Sequence, residues 1–231
     1  MISTLPATMD LTTHDPAALQ SALQTDDWFA ASPPVLQQQL LALARRRHLA
    51  PGESLFARGG DADGLCCVVA GALHIGAHDV QGQAAVLAYL EPYQWFGEIS
   101  MIDGLPRTHD AVADVASQVL VVSRTDLLVW LADHPVHWRD MARLACRKLR
   151  VAFVVLEELA LLPLEERVLR RLQLLAQGYG SRDVMRRRIR VAQEVLARML
   201  GVSRQSVNKA LKQLEARGAL RLHYGEIELL T

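Results

Sequence analysis

Between residues 49 and 122 the apolar positions fall in short runs, "LCCVVAGALHIGA", "AAVLAYL" and "SQVLVVS", separated by turn clusters such as "PGES", "ARGGDADG", "HDVQGQ", "EPYQ" and "IDGLPR". Runs rich in Val, Leu and Ile at this spacing predict an antiparallel sandwich or jelly roll. After "TDLLVWLADHP" the period changes. Trp138, Ala142, Ala145, Leu149, Ala152, Leu156 and Leu159 recur at alternating spacings of four and three, which predicts a long helix over 134–162 with an unbroken apolar seam. Such a seam suits a dimeric coiled coil, and its alanines let two helices approach closely. A helix packed only on its own domain is the alternative, but a helix this long outreaches a domain of this size. Pro163 then ends the pattern and opens a new helix, since proline fits a first helical turn and disfavours an interior.

The remaining pattern is a helix over 164–177, a Gly-rich "GYGS", a basic strand-like "MRRRIRV", two helices split by "GVS" and a terminal hairpin turning near Gly225. Two helices, a tight turn and a hairpin describe a winged helix-turn-helix. Residues 1–32 are polar and mixed and read as a lead, followed by a short helix over 35–47. The expected organisation is therefore α+β: a lead (1–32), a jelly-roll domain (33–133), a dimerisation helix (134–162) and a winged helix-turn-helix (163–231).

Composition changes this picture in three ways. The 231 residues are 51% hydrophobic, enough for two modest cores. No stretch approaches the roughly 18 to 20 apolar residues of a membrane span, and no basic start leads into an apolar run, so the expected location is the cytoplasm. The net charge of zero hides a division: residues 164–231 hold 14 Lys+Arg against 7 Asp+Glu, so the halves carry +7 and −7. A basic module behind an acidic one fits a polyanion-binding domain attached to something else. Cys66, Cys67 and Cys146 match neither a paired disulfide framework nor a four-cysteine metal set, and read as free thiols.

In "AQEVLARMLGVSRQSVNKALKQLEARGAL", Val195, Leu196, Met199 and Leu200 form one apolar face, Gly201 permits the turn and Ser203 can cap the next helix. Val207, Ala210, Leu211 and Leu214 of that helix face inward. Outward lie Arg204, Gln205, Asn208 and Lys209, which can reach base edges from a helix end in a major groove. Ser203, Ser206, Gln193 and the arginines of "RRRIR" are better suited to phosphates, which fix register without reading sequence.

These residues resemble the cyclic AMP receptor protein and FNR (Crp/Fnr) family of bacterial transcription regulators, from about residue 49 to the end. The resemblance implies a homodimer on a two-fold related DNA site, with RNA polymerase as a further partner. Gln205 stands where the receptor protein has an acidic residue, which changes the expected half-site, because glutamate accepts from cytosine whereas an amide prefers adenine. Ala192 stands where many members carry a capping Ser or Thr.

"FGEISMIDGLPRTHDAV" resembles the family's phosphate-binding cassette, with cyclic AMP as the first-choice effector. A cyclic nucleotide offers a fixed phosphate and a ribose 2′-hydroxyl a few ångströms apart. Arg107 can bind the phosphate and Glu98 can accept the hydroxyl. Gly97 admits close backbone approach, the amides of Ile99 and Ser100 can face the anion, and Thr108 adds a donor. Glu98 and Arg107 are expected to neutralise each other in the empty site. The family's base-contacting hydroxyl positions fall on Ala152 and Phe153, which cannot hydrogen-bond a base. Phe153 can stack on a purine, fill the pocket of an effector-independent regulator, or admit a cyclic dinucleotide. Asp110 adds negative charge near the expected phosphate. No catalytic or metal residues are expected. The different-class alternative, a cupin-like metalloenzyme, rests on His74 and His78, spaced evenly enough for one strand face, and haem on the same histidines with Cys67.

Overall fold

The computed structural model describes residues 16–78, 84–178 and 187–230. It begins with helices α1 (Pro16–Leu23), α2 (Asp27–Ala31) and α3 (Pro34–Leu43), then strands β1 (Ala44–Leu49), β2 (Ser54–Phe56), β3 (Gly64–Ala70), β4 (Leu73–His78), β5 (Ala84–Leu90) and β6 (Trp95–Phe96). Helix α4 (Glu98–Asp103) precedes β7 (Asp110–Ala113) and β8 (Ser117–Ser123); α5 (Arg124–Asp133), a 3-10 turn (Pro135–His137) and the long α6 (Trp138–Leu161) follow. The C-terminal unit holds α7 (Leu164–Ala176), β9 (Arg188–Ile189), α8 (Gln193–Leu200), α9 (Arg204–Ala216), β10 (Leu220–His223) and β11 (Glu226–Leu229).

The first eight strands form the expected sandwich, with sheet orders β1-β8-β3-β6 and β2-β7-β4-β5 and antiparallel pairing throughout. Strand β3 shows why "GLCCVVA" is apolar at nearly every position. Its side chains alternate between faces, and both faces are covered. Cys66 and Val68 pack between the sheets with Leu73, Phe96 and Val119, whereas Leu65, Cys67 and Val69 pack under the helices.

Two expectations need correction at the N-terminus. The helix expected over 35–47 ends at Leu43, and Arg45, Arg46, Arg47 and His48 instead form β1, paired with β8 across Arg45↔Val121 to His48↔Gln118. The ladder to β8 supplies backbone partners that outweigh local helix preference, and the exposed basic side chains suit an edge strand. The polar lead is also partly core. Leu19, Leu23, Trp28 and Phe29 join Leu65, Trp95, Met101 and Leu144 in one buried cluster. Phe29 stacks on Trp95 at 5.6 Å, and the indole Nε1 of Trp28 donates to the carbonyl of Asp140 on α6 at 2.7 Å. Asp26 caps α2 through the Phe29 amide and pairs with Arg147 of α6 at 3.1 Å. Residues 1–15 lie outside the described residues.

Helix α6 divides into two halves. Asp140, Met141 and Leu144 are buried against the sensor, whereas Leu149, Phe153, Leu156, Leu159 and Leu161 are exposed. Trp138, expected at the head of the open seam, packs instead on its own domain's core. The described part of the C-terminal unit is a three-helix core with a small sheet of order β10-β11-β9. Val86 and Tyr89 of β5 join that core, and the Gln94 side-chain amide donates to the Gly178 carbonyl, so the unit rests on the sensor's β5 edge. The rest of the Gly-rich segment, with Met185 and Arg186, falls outside the described residues.

Trp28→Phe removes the buried indole donor and leaves the Asp140 carbonyl without it, so it is expected to destabilise the chain by about 1–3 kcal/mol in urea unfolding. An unchanged midpoint would mean that the Trp28–Asp140 hydrogen bond contributes nothing.

Candidate functional site

The turn between β6 and α4 brings two opposite buried charges within reach of one loop. Gly97 has φ 88°, a left-handed conformation that favours glycine, and a Cβ there would stand 2.7 Å from Nη1 of Arg107. The missing side chain thus lets the guanidinium lie against the turn. Arg107 is only 3% exposed. Its Nη1 donates to the Gly97 carbonyl at 3.2 Å, its Nη2 donates to the Gly64 carbonyl at 2.7 Å and to Oδ1 of Asp63, and Phe56 covers it with its ring centroid 4.1 Å away. Its backbone is fixed to the loop before β3 through Arg107 N to Gly60 O and Gly59 N to Arg107 O, both 2.8 Å.

Glu98, also buried, accepts from Nζ of Lys148 on α6 at 2.9 Å. The expected mutual neutralisation of Glu98 and Arg107 is therefore replaced by two separate pairs, Arg107 with Asp63 and Glu98 with Lys148. Neither Asp63 nor Lys148 stands out in sequence, because each is brought to the cassette by a distant element. Ile99 is exposed in the first turn of α4 and Ser100 is buried there, its hydroxyl donating to Pro106 O at 3.4 Å. Thr108 is exposed, and its hydroxyl lies 3.0 Å from Nδ1 of His109. Burial, with Arg58 nearby, holds His109 below the usual imidazole range. Asp110 accepts from the Arg58 amide at 2.8 Å. Ala152 and Phe153 lie on the exposed stretch of α6, Phe153 at 61% exposure.

In the C-terminal unit Gly201 ends α8 at φ 64° and Ser203 caps α9 by accepting from the Ser206 amide at 3.1 Å. Ala192 precedes α8 without any side-chain cap. Val207, Ala210, Leu211 and Leu214 are buried, which turns Arg204, Gln205, Asn208 and Lys209 outward around one shallow concavity. Lys212, one turn further along the same face, also lines it and was not singled out by sequence. Of the expected phosphate contacts, Gln193 accepts from Asn208 at 3.2 Å and Ser206 lies 2.9 Å from Ser203. Arg188 and Arg190 pair with Glu226 of β11 at 3.7 and 3.4 Å while staying largely exposed. Hydrogen bonding from His223, with Arg188 and Arg221 nearby, holds Glu228 below the usual carboxylate range.

Among the described residues no group of three or more His, Cys, Asp or Glu is placed to hold a metal ion. His74 has its Nδ1 3.9 Å from Oδ1 of Asp114, and the His78 side chain lies outside what is described. Cys67 is fully buried and burial holds its thiol well above the usual range, while burial pushes Cys66 up to about 12. No helix of the described residues is long and apolar enough to cross a membrane.

A charged cassette in a β-sandwich, tied to a long helix that leads to a winged helix-turn-helix, is the architecture of a DNA-binding transcription regulator. Residues 46–134 match the cyclic nucleotide-binding domain model and residues 166–231 the Crp-like helix-turn-helix domain model. The chain is 32% identical over 173 residues to the CRP-like cAMP-activated global transcriptional regulator of Mycobacterium tuberculosis (strain ATCC 25618 / H37Rv), covering 74% of this chain and 77% of that one. It is 30% identical over 190 residues to the cyclic AMP receptor protein of Thermus thermophilus, covering 82% and 85%. In fold it is similar to the c-di-GMP responsive global regulator CLP of Xanthomonas campestris, with a TM-score of 0.66 and 23% identity over 84% of this chain and 97% of that one. The chain belongs to the Crp/Fnr family of transcription regulators.

Buried thiols of raised pKa stay protonated and shielded. A thiol reagent at about pH 8 is expected to leave Cys66 and Cys67 unmodified in the native protein and to reach both on unfolding. Rapid native labelling of either, located by mass spectrometry, would contradict their placement.

Proposed function

We propose that this regulator is a homodimer gated by a cyclic nucleotide, cyclic AMP first, bound at the cassette. The observation that carries the reading is the pairing of buried Glu98 with Lys148, because it ties the cassette to the helix that leads to the DNA-binding unit. Arg107 takes the phosphate, Glu98 the ribose hydroxyl, and Gly97, Ile99, Ser100 and Thr108 complete the cradle. A ribose at Glu98 competes with Lys148 and so alters what α6 feels. The cyclic AMP responses named for the Mycobacterium and Thermus relatives support this choice.

Two copies pair along α6 through Ala142, Ala145, Leu149, Ala152, Leu156 and Leu159, which are exposed or half-buried. The link 161–164 between α6 and α7 serves as the hinge on which the C-terminal units turn. Recognition helices then meet half-sites about 34 Å apart, with Arg204, Gln205, Asn208 and Lys209 on bases and Gln193, Ser203 and Ser206 on phosphates. The effector must bind the DNA-competent form more tightly, or it shifts nothing. RNA polymerase is the further partner and the cytoplasm the place of action.

A second reading is a regulator that works without an effector, favoured by the internal partners that already occupy Arg107 and Glu98. A cyclic dinucleotide, the effector named for the CLP relative, is the remaining candidate and would use the exposed Phe153 as a stacking face.

Two variants test the reading. Arg107→Ala is expected to weaken cyclic AMP binding by about a hundredfold or more, as loss of a charge-assisted phosphate contact; calorimetry that finds unchanged affinity would remove Arg107 from the site. Leu149→Asp is expected to yield monomers in analytical ultracentrifugation and to abolish tight binding to a two-fold DNA site. A dimer that persists would move the interface off α6.

A further inference from the structure

The described guanidinium of Arg107 is not held ready for a ligand. It already has an anion. Asp63, from the loop that enters β3, places Oδ1 against Nη2, while two backbone carbonyls and the Phe56 ring take most of the remaining surface. The two partners are unequal in burial. The Arg107 side chain is 2% exposed whereas that of Asp63 is 47% exposed. An incoming phosphate must therefore approach from the Asp63 side, because the other sides of the guanidinium are closed by protein.

We propose that Asp63 is a resident phosphate mimic that competes with the effector for Arg107 and so sets the affinity of the cassette. A carboxylate and a phosphodiester present the same pair of charged acceptor oxygens to a guanidinium, so either can neutralise it. Only one fits beside Nη2. The backbone of Asp63 is pinned, its carbonyl accepting from Arg124 N and its amide donating to Asp61 O, both at 2.9 Å. Displacement is thus a side-chain rotation into water, not a movement of the loop. After rotation the Asp63 charge stays on the same loop and repels the phosphate, which adds to the cost of binding. The device keeps a buried cation neutral in the absence of effector and restricts the site to anions able to outcompete a tethered carboxylate. It rests on the nucleotide reading of the same cassette.

The test is a calorimetric titration of the full-length wild type, Asp63→Asn, Asp63→Ala and Arg107→Ala with cyclic AMP, and with cyclic GMP and cyclic di-GMP as comparators. Both Asp63 variants are expected to bind the preferred nucleotide on the order of tenfold more tightly than wild type, with Arg107→Ala binding weakest. Unchanged or weaker binding in both would overturn the proposal and make Asp63 a positioning residue for Arg107 or a bystander. No binding of any of the three nucleotides by wild type or by either Asp63 variant would overturn the nucleotide reading itself. Thermal melting of each variant separates lost affinity from lost folding. Removing Asp63 leaves the buried Arg107 charge without its carboxylate, so both Asp63 variants are expected to melt below wild type without nucleotide and to regain stability when cyclic AMP binds.

Discussion

A buried guanidinium has to be neutralised, and that constraint organises the sensor half of the chain. Burying a charge without a partner costs several kcal/mol. Arg107 meets this requirement through Asp63 and the Gly64 carbonyl of one segment, the Gly97 carbonyl of a second and the Phe56 ring of a third. The glycine at 97 exists in that setting because a Cβ would collide with the guanidinium. The loop before β3, the β6–α4 turn and the arm leading to β7 are thereby drawn together at one point. Any anion that replaces Asp63 inherits the same constraint.

The second buried charge points along the molecule. Glu98 is satisfied by Lys148, which sits on α6 just past the stretch of that helix packed into the sensor core and just before the exposed apolar stretch begins. Glu98 is thereby bonded to α6 at the point where that helix leaves its own domain. Further on, α7 and the recognition unit are joined to α6 by only two residues, and the unit also rests on β5 through Val86 and Tyr89. The tyrosine is itself fastened to Asp114 at 3.0 Å, and burial, together with that carboxylate, holds its hydroxyl well above the usual phenol range. The DNA-binding unit is thus connected to the sensor by two routes, one helical and one through the sheet edge.

What was legible in the sequence follows the range of the interactions involved. The sandwich, the long helix, the break at Pro163 and the capped recognition helix were legible because hydrophobic period, glycine and capping residues are local signals. Gly97, Glu98 and Arg107 were legible as a set, within a dozen residues of one another. Their partners were not. Asp63 and Lys148 lie far from the cassette in sequence, and only the fold brings them to it, so the empty-site pairing of Glu98 with Arg107 was the natural but incorrect reading. The arginines of β1 hid a strand because local sequence gives no sign of the β8 ladder. Helices α1 and α2 are not legible because their few apolar residues, Leu19, Leu23, Trp28 and Phe29, acquire meaning only against Trp95 and α6.

The measurement that decides most is the affinity of the full-length protein for a two-fold DNA site, selected from random duplexes, with and without saturating cyclic AMP at one fixed salt concentration. Fluorescence anisotropy of the labelled site suffices. Gating through Glu98, Lys148 and α6 predicts binding tighter by about tenfold or more when the nucleotide is present. Equal affinity in the two conditions, with the nucleotide shown to be bound, would contradict it.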